Sequence, residues 1–204
     1  MIERIMKRTT ALAYVATLSV AASFAAGFFT NKFLLYSNAV DSLQETVCGD
    51  MMTSDSVKSV LPKSHTAMEH YTALGAGQDF NQSCIISSGT SGTLTIRAKI
   101  QNAAFQDWQK WVKGETRDEG SGVPVKMGKG GVSYPTTTYL YIPCTPRYPR
   151  AEATPAKDSY YLQVNVRFNG DADADAGTVR KAVADAAQAF GKNAHSEAGC
   201  LGAP

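Results

Sequence analysis

The chain has 204 residues, 44% of them hydrophobic and 19% charged, with a formal net charge of +2. Such a composition excludes wholesale disorder and allows one ordinary domain or two very small ones. The excess charge sits at the front, in Arg4, Lys7 and Arg8 against Glu3, and the remainder carries 17 basic and 17 acidic side chains. A neutral remainder without a basic stripe excludes nucleic acid as a partner, because phosphate contacts need clustered Lys and Arg.

Residues 9–30 carry no charge. As a helix they would be about 33 Å long, enough to cross a hydrocarbon core of about 30 Å. The basic cluster precedes this run, so the N-terminus is expected in the cytoplasm. A cleaved signal peptide competes, with small residues at Ser23-Phe24-Ala25 and Ala25-Ala26-Gly27. The run exceeds the usual signal-peptide core of about 7–15 residues, which favours an uncleaved anchor. The expected division is a cytoplasmic tail (1–8), a transmembrane signal-anchor (9–30), a juxtamembrane helix (31–47) and an extracytoplasmic domain (48–204). Cleavage would instead release a secreted domain.

Ser19, Ser23 and Gly27 recur every four residues inside the apolar run, a spacing that lets helix backbones approach. Phe33, Tyr36, Val40, Leu43 and Val47 follow at steps of 3, 4, 3 and 4, an a/d seam that would continue the helix outward. Together they suggest a homodimer face. Against it, the seam spans only two heptads and would equally serve to pack the stalk on its own domain.

Four cysteines, Cys48, Cys84, Cys144 and Cys200, suit an exported domain as disulfides. Of three possible pairings, Cys48–Cys84 with Cys144–Cys200 is favoured because each closes a self-contained half. The long spacings argue against a zinc site.

Next, Thr53 or Ser54 caps a short helix over residues 55–61, stopped by Pro62, with Val57, Val60 and Leu61 inward. Residues 63–82 are polar and read as loop. Cys84-Ile85-Ile86 and residues 94–100 flank the turn-rich SSGTSG, which predicts a hairpin; Leu94, Ile96, Ala98 and Ile100 alternate with wet positions. Asn102 is expected to cap a helix ending near Gly114, with Phe105, Trp108 and Val112 on one face. Residues 114–131 read as a long loop or loose hairpin. A strand interrupted at Pro135 covers 134–142, and a Pro-rich loop follows Cys144. The alternation of Tyr160, Leu162, Val164, Val166 and Phe168 marks the clearest strand. Asp173 and Asp175 cap a final helix whose apolar face is Val179, Ala182, Val183, Ala186 and Phe190, with its end beginning at Gly191. The expected class is α+β: a small antiparallel sheet with helices on one face, stapled by disulfides and arranged in two small lobes.

No catalytic, cofactor or metal motif emerges. His65, His70 and His195 read as surface residues, and no G-x-S-x-G is present. The run from Asp171 to Asp175 echoes a calcium loop but has Ala176 and Ala182 where Gly and Glu belong, so helix capping is the better account. GVPVKMGKG in residues 122–130 misses both the spacing and the Ser/Thr of a phosphate-binding loop. Trp108 is expected in the core and Trp111 at the edge of its stripe. Tyr139, Tyr141 and Tyr161 share a sheet face opposite the apolar one, which with Trp111 is the expected recognition surface.

The series formed by Cys48-Gly49, the helix ending in VKSVLP, Cys84 leading a strand, IPC at Cys144 and an Ala-rich helix closing at Gly199-Cys200 resembles small cell-envelope proteins of actinobacteria. The first half is similar to an actinobacterial lipoprotein family of unknown function, although this chain has no cysteine abutting the apolar run to carry a lipid. The resemblance implies a location and no reaction. A non-catalytic module binding an envelope protein or cell-wall component is therefore the leading expectation. The alternatives are an envelope hydrolase using acids such as Asp107, Glu115, Asp118 and Glu119, and a dimeric structural or signalling stalk.

Overall fold

A computed structural model of the chain describes residues 38–147 and 160–204. The expected membrane span and the seam residues Ser19, Ser23, Gly27, Phe33 and Tyr36 lie outside the described residues. Among the described residues, no helix is long and apolar enough to cross a membrane.

The described chain runs through β1 (Thr46–Val47), β2 (Met52–Thr53), α1 (Asp55–Lys58), β3 (Ala67–Leu74), β4 (Asn81–Ser88) and β5 (Gly92–Asn102). It continues through α2 (Phe105–Glu115), β6 (Val123–Pro124), β7 (Gly130–Ser133), β8 (Thr137–Pro143), β9 (Thr145–Pro146), β10 (Tyr160–Gly170), α3 (Ala176–Glu197) and β11 (Cys200–Leu201). Seven strands make one sheet in the order β3-β4-β5-β10-β8-β7-β6, each pair antiparallel. The fold is α+β, as expected. The two lobes are not separate, because β10, late in sequence, inserts between β5 and β8 and joins both halves into a continuous ladder.

Alternation decides which side of each strand is buried. Cys84, Ile86, Leu94, Ile96, Ala98, Leu140, Ile142, Leu162, Val164 and Val166 are all buried on one face. Helix α3 covers that face with Val183, Ala186, Ala187 and Phe190, each fully buried. Asp175 caps α3 by accepting from the backbone N–H of Gly177 (2.8 Å) and Thr178 (3.0 Å). Its hydrogen bonds, first among them that from the Thr178 hydroxyl, hold the Asp175 carboxyl below its ordinary range. Gly191 does not end the helix. It is buried against the sheet, where an added Cβ would lie 3.1 Å from Ile142 Cδ1, and the helix ends at Glu197 with Gly199 beyond at φ +69°.

The expectation of helices on one face alone is corrected by α2. Its apolar stripe, Phe105, Trp108 and Val112, packs on the opposite face. Phe105 and Trp108 stack at 5.5 Å, both meet Tyr141 edge-on at 5.1 and 5.7 Å, and Tyr141 stacks on Tyr161 at 4.0 Å. This second core is small and aromatic. Ala104 rather than Asn102 is the N-cap, since Asn102 is still paired in β5, and Gly114 lies inside the helix.

Two further expectations change. The segment read as loop contains β3, an eight-residue edge strand paired only with β4. Its exposed MEHYTAL run lacks alternation because neither of its faces is deeply covered. The described end of the stalk is no helix seam: Ala39–Ser42 is a single 3-10 turn and Val47 lies in the first strand of the β1–β2 hairpin. Val40 and Val47 are each 1% exposed and Leu43 packs on the same core, so these three side chains are spent inside the domain. The domain accordingly begins by Asn38, whose Oδ1 accepts from Ser64 N–H at 3.1 Å.

The cysteines pair as favoured, Cys48 with Cys84 and Cys144 with Cys200. The first ties the β1–β2 turn to the sheet. There Cys48, Gly49 and Asp50 take φ of 61°, 65° and 65° in succession, a conformation costly for the two non-glycine residues. Glu69 supports it by accepting from the Cys48 N–H at 2.6 Å. Cys48, Glu69 and Cys84 also cluster closely enough to suggest metal ligands, but both sulfurs are used by the disulfide. The second bridge fastens β11, which follows α3, to the junction of β8 and β9, and β9 and β11 pair with each other.

Candidate functional site

The face carrying α2 is only half covered. Over β8 and the start of β10 the helix buries Tyr139 (1% exposed), Tyr141 (2%) and Tyr161 (4%). These three tyrosines therefore do not form the expected recognition surface; they are the floor on which α2 rests. Burial pushes Tyr161 up to about 12 and raises Tyr141 as well, so both phenols stay protonated. As donors they order their surroundings: Tyr141 to the Ala103 carbonyl (3.2 Å) and Tyr161 to Gln163 Oε1 (3.3 Å).

Beyond the edge of α2 the same face lies open over β10, β5 and β4, forming a groove of about 670 Å³. Registry places its floor in cross-strand rows. Ser83, Arg97 and Asn165 are neighbours in one row, and Asn81, Lys99 and Gln163 in the next. Thr95 and Arg167 adjoin them, and Trp111 and Glu115 of α2 form the wall. These residues are polar because an antiparallel sheet with one face in the core presents every second side chain to water. They are close together because β10 was inserted beside β5.

Trp111 is the one residue of the expected aromatic surface that remains available. It lies three residues after Trp108, is 36% exposed, and sits edge-on to Tyr139 at 5.4 Å. The charges differ in availability. Arg167 donates to the Tyr139 hydroxyl at 3.1 Å and pairs with Glu119 at 3.7 Å. Desolvation raises the Glu119 carboxyl and the Arg167 guanidinium partly offsets it; Thr137 also donates to that carboxylate. Burial likewise raises Tyr139, against the pull of Arg167. Arg97 and Lys99, both exposed on β5, have no ion-pair partner among the described residues.

Of the four candidate acids, Asp107 pairs with Lys110 on the exposed side of α2 and Asp118 is exposed. With Glu119 engaged by Thr137 and Arg167, Glu115 is the one carboxylate lining the groove among the described residues. Sequence reasoning marked Trp111 and Glu115 but missed Arg97, Lys99, Asn165 and Gln163, which it read only as a wet strand face. His65 and His70 are exposed, as expected, His70 on β3 with Nε2 3.4 Å from Thr72 Oγ1. Asp173 accepts from Lys63 N–H at 3.2 Å, and Asp175 is the helix cap.

His195 departs from expectation, being 3% exposed rather than on the surface. Its Nε2–H donates to the Pro143 carbonyl at 3.3 Å, beside Cys144. Desolvation holds its pKa below the ordinary value, outweighing the carbonyl, which acts in the opposite sense. The neutral ring is thus the form the fold prefers. Its contribution is complete above the unfolded value of about 6.5 and is lost as pH falls through the folded value. Replacing His195 by Gln is expected to flatten urea-unfolding stability between pH 7 and pH 5, by a slope of at most about 1.4 kcal/mol per pH unit for one proton. An unchanged slope would contradict this placement.

No protein family, curated protein or solved structure matches the chain.

Proposed function

We propose that this chain is an envelope protein held by residues 9–30 as a single-pass anchor, with its N-terminus cytoplasmic and its domain outside. In this reading the domain is a non-catalytic binding module that engages an envelope protein or cell-wall component through the groove beside α2. The carrying observation is the groove itself: a hydrogen-bonding floor with two cations that have no ion-pair partner among the described residues, and an exposed tryptophan on its wall. The two disulfides, with no free cysteine among the described residues, support an oxidising compartment.

Glycoside hydrolysis ordinarily uses two carboxylates flanking the scissile bond. Here one acid among the described residues lines the groove and its neighbour Glu119 is already paired, which favours binding over hydrolysis. The dimeric-stalk reading loses Val40 and Leu43 to the domain core.

Sedimentation of the detergent-purified full chain with isolated envelopes of the parent organism tests the reading. The wild type is expected to pellet with the envelopes, and Arg97→Glu to remain largely in the supernatant with its thermal unfolding unchanged. Equal pelleting of the two proteins, or none by either, would overturn it.

A further inference from the structure

We propose that the groove is built for an anionic saccharide, specifically a polysaccharide carrying carboxylates. The proposal rests on the binding-module reading and names the ligand of that same surface. The first argument is charge. Among the described residues, Arg97, Lys99 and Arg167 line the groove against Glu115 alone, although the chain from residue 31 onward has equal numbers of acidic and basic side chains. Arg167 is held by Glu119 and Tyr139, which leaves Arg97 and Lys99 as the groove cations without an ion-pair partner among the described residues. They are two residues apart on β5, with side chains on one face and about 7 Å between their Cα atoms, so they present two anchoring points along a strand. Arginine takes a carboxylate through two parallel N–H bonds, and lysine supplies a mobile point charge.

The second argument is the floor around those cations. Asn81, Gln163 and Asn165 flank them in register, with Ser83 and Thr95 adjoining. Each amide offers donors and an acceptor, the combination that suits sugar hydroxyls. Gln163 is oriented: its oxygen already accepts from Tyr161, so its amide N–H groups remain for a ligand.

The third is the wall. Trp111 offers the apolar ring surface that a sugar's C–H face needs, and its edge contact with Tyr139 limits its motion. A polyphosphate or nucleic acid would ask for more cations, and nucleic acid for several stacking rings, than this groove provides. An apolar small molecule would ask for a pocket with mostly hydrophobic walls.

Binding of polygalacturonate to the detergent-solubilised full chain, measured by thermophoresis, tests the inference. Its fully methyl-esterified form serves as the uncharged counterpart, and inorganic polyphosphate as an anion without sugar. The charged saccharide is expected to bind at least about tenfold more tightly than the ester. Arg97→Ala and Lys99→Ala should each weaken it about tenfold, and Trp111→Ala about fivefold, with unfolding midpoints unchanged. Equal binding of the ester would overturn the role of charge. Polyphosphate binding as tight as polygalacturonate, insensitive to Trp111→Ala, would overturn the saccharide assignment. Should polygalacturonate not bind while Arg97-dependent envelope sedimentation persists, the ligand class is wrong and the binding module stands. Failure of both removes the module reading as well.

Discussion

Replacing Trp108 with alanine is expected to cost about 3–5 kcal/mol of stability and to abolish ligand binding in the groove. The side chain is 4% exposed, stacked on Phe105 and edge-on to Tyr141, so its removal empties the centre of the small aromatic core. An 11-residue helix has little stability of its own, and α2 is held on the sheet chiefly by this stripe. Trp111 and Glu115 ride on the same helix, so the groove loses its wall when the helix loosens. Trp108→Phe separates packing from hydrogen bonding. The indole Nε1 is buried without a partner among the described residues, so phenylalanine removes an unsatisfied donor while keeping a ring. It is expected to stay within about 1.5 kcal/mol of the wild type and to retain binding. Equilibrium urea unfolding and polygalacturonate binding measure both effects; a Trp108→Ala protein that keeps its stability would show that α2 is anchored elsewhere.

The disulfides carry the second large effect, and the structure ranks them. On chain entropy alone, separations of 36 and 56 residues give each bridge about 4 kcal/mol, slightly more for the longer Cys144–Cys200 loop. Burial reverses that order. Cys48 and Cys84 are wholly buried, whereas Cys200 is half-buried and joins a two-residue strand. The Cys48–Cys84 bridge also restrains the turn of three successive positive φ angles. Serine at these two positions would place hydroxyls in an apolar core, at roughly 1–3 kcal/mol for each one left unpaired. The Cys48→Ser/Cys84→Ser protein is therefore expected to be the less stable, by about 2 kcal/mol, than Cys144→Ser/Cys200→Ser. Urea midpoints in the reverse order would mean that loop length dominates and that the core tolerates the hydroxyls.

Where one face of an element was deeply buried, its residues announced it. From Leu162 to Phe168 burial alternates without interruption, because β10 is central and one side of it lies under α3. The hairpin of β4 and β5 and the stripe of α3 were legible for the same reason, and the exposed Asp175 cap because its short carboxylate suits the first free N–H groups of a helix. Strand β3 was not, since an edge strand with both faces partly wet shows no period. The tyrosines illustrate a different limit. Alternation correctly put Tyr139, Tyr141 and Tyr161 on one face, and helical spacing correctly gave α2 an apolar stripe. That the two surfaces cover each other depends on the sheet order, which no local pattern encodes. The groove was harder still, because its residues come from three strands and one helix and become neighbours only when β10 inserts beside β5. Arg97 and Lys99 carry no motif; their lack of an ion-pair partner among the described residues is a property of the assembled face.

A photo-crosslinking residue placed at Thr95 in the full chain, in living cells of the parent organism, tests the central claim most directly. Thr95 lies on the groove floor, and Gln109, exposed on α2 and outside the groove lining, serves as the control position. Illumination should join the Thr95 probe, and not the Gln109 probe, to material of the cell envelope. Adducts with cytosolic proteins, or equal yields from the two positions, would contradict an outward-facing domain that binds through this groove.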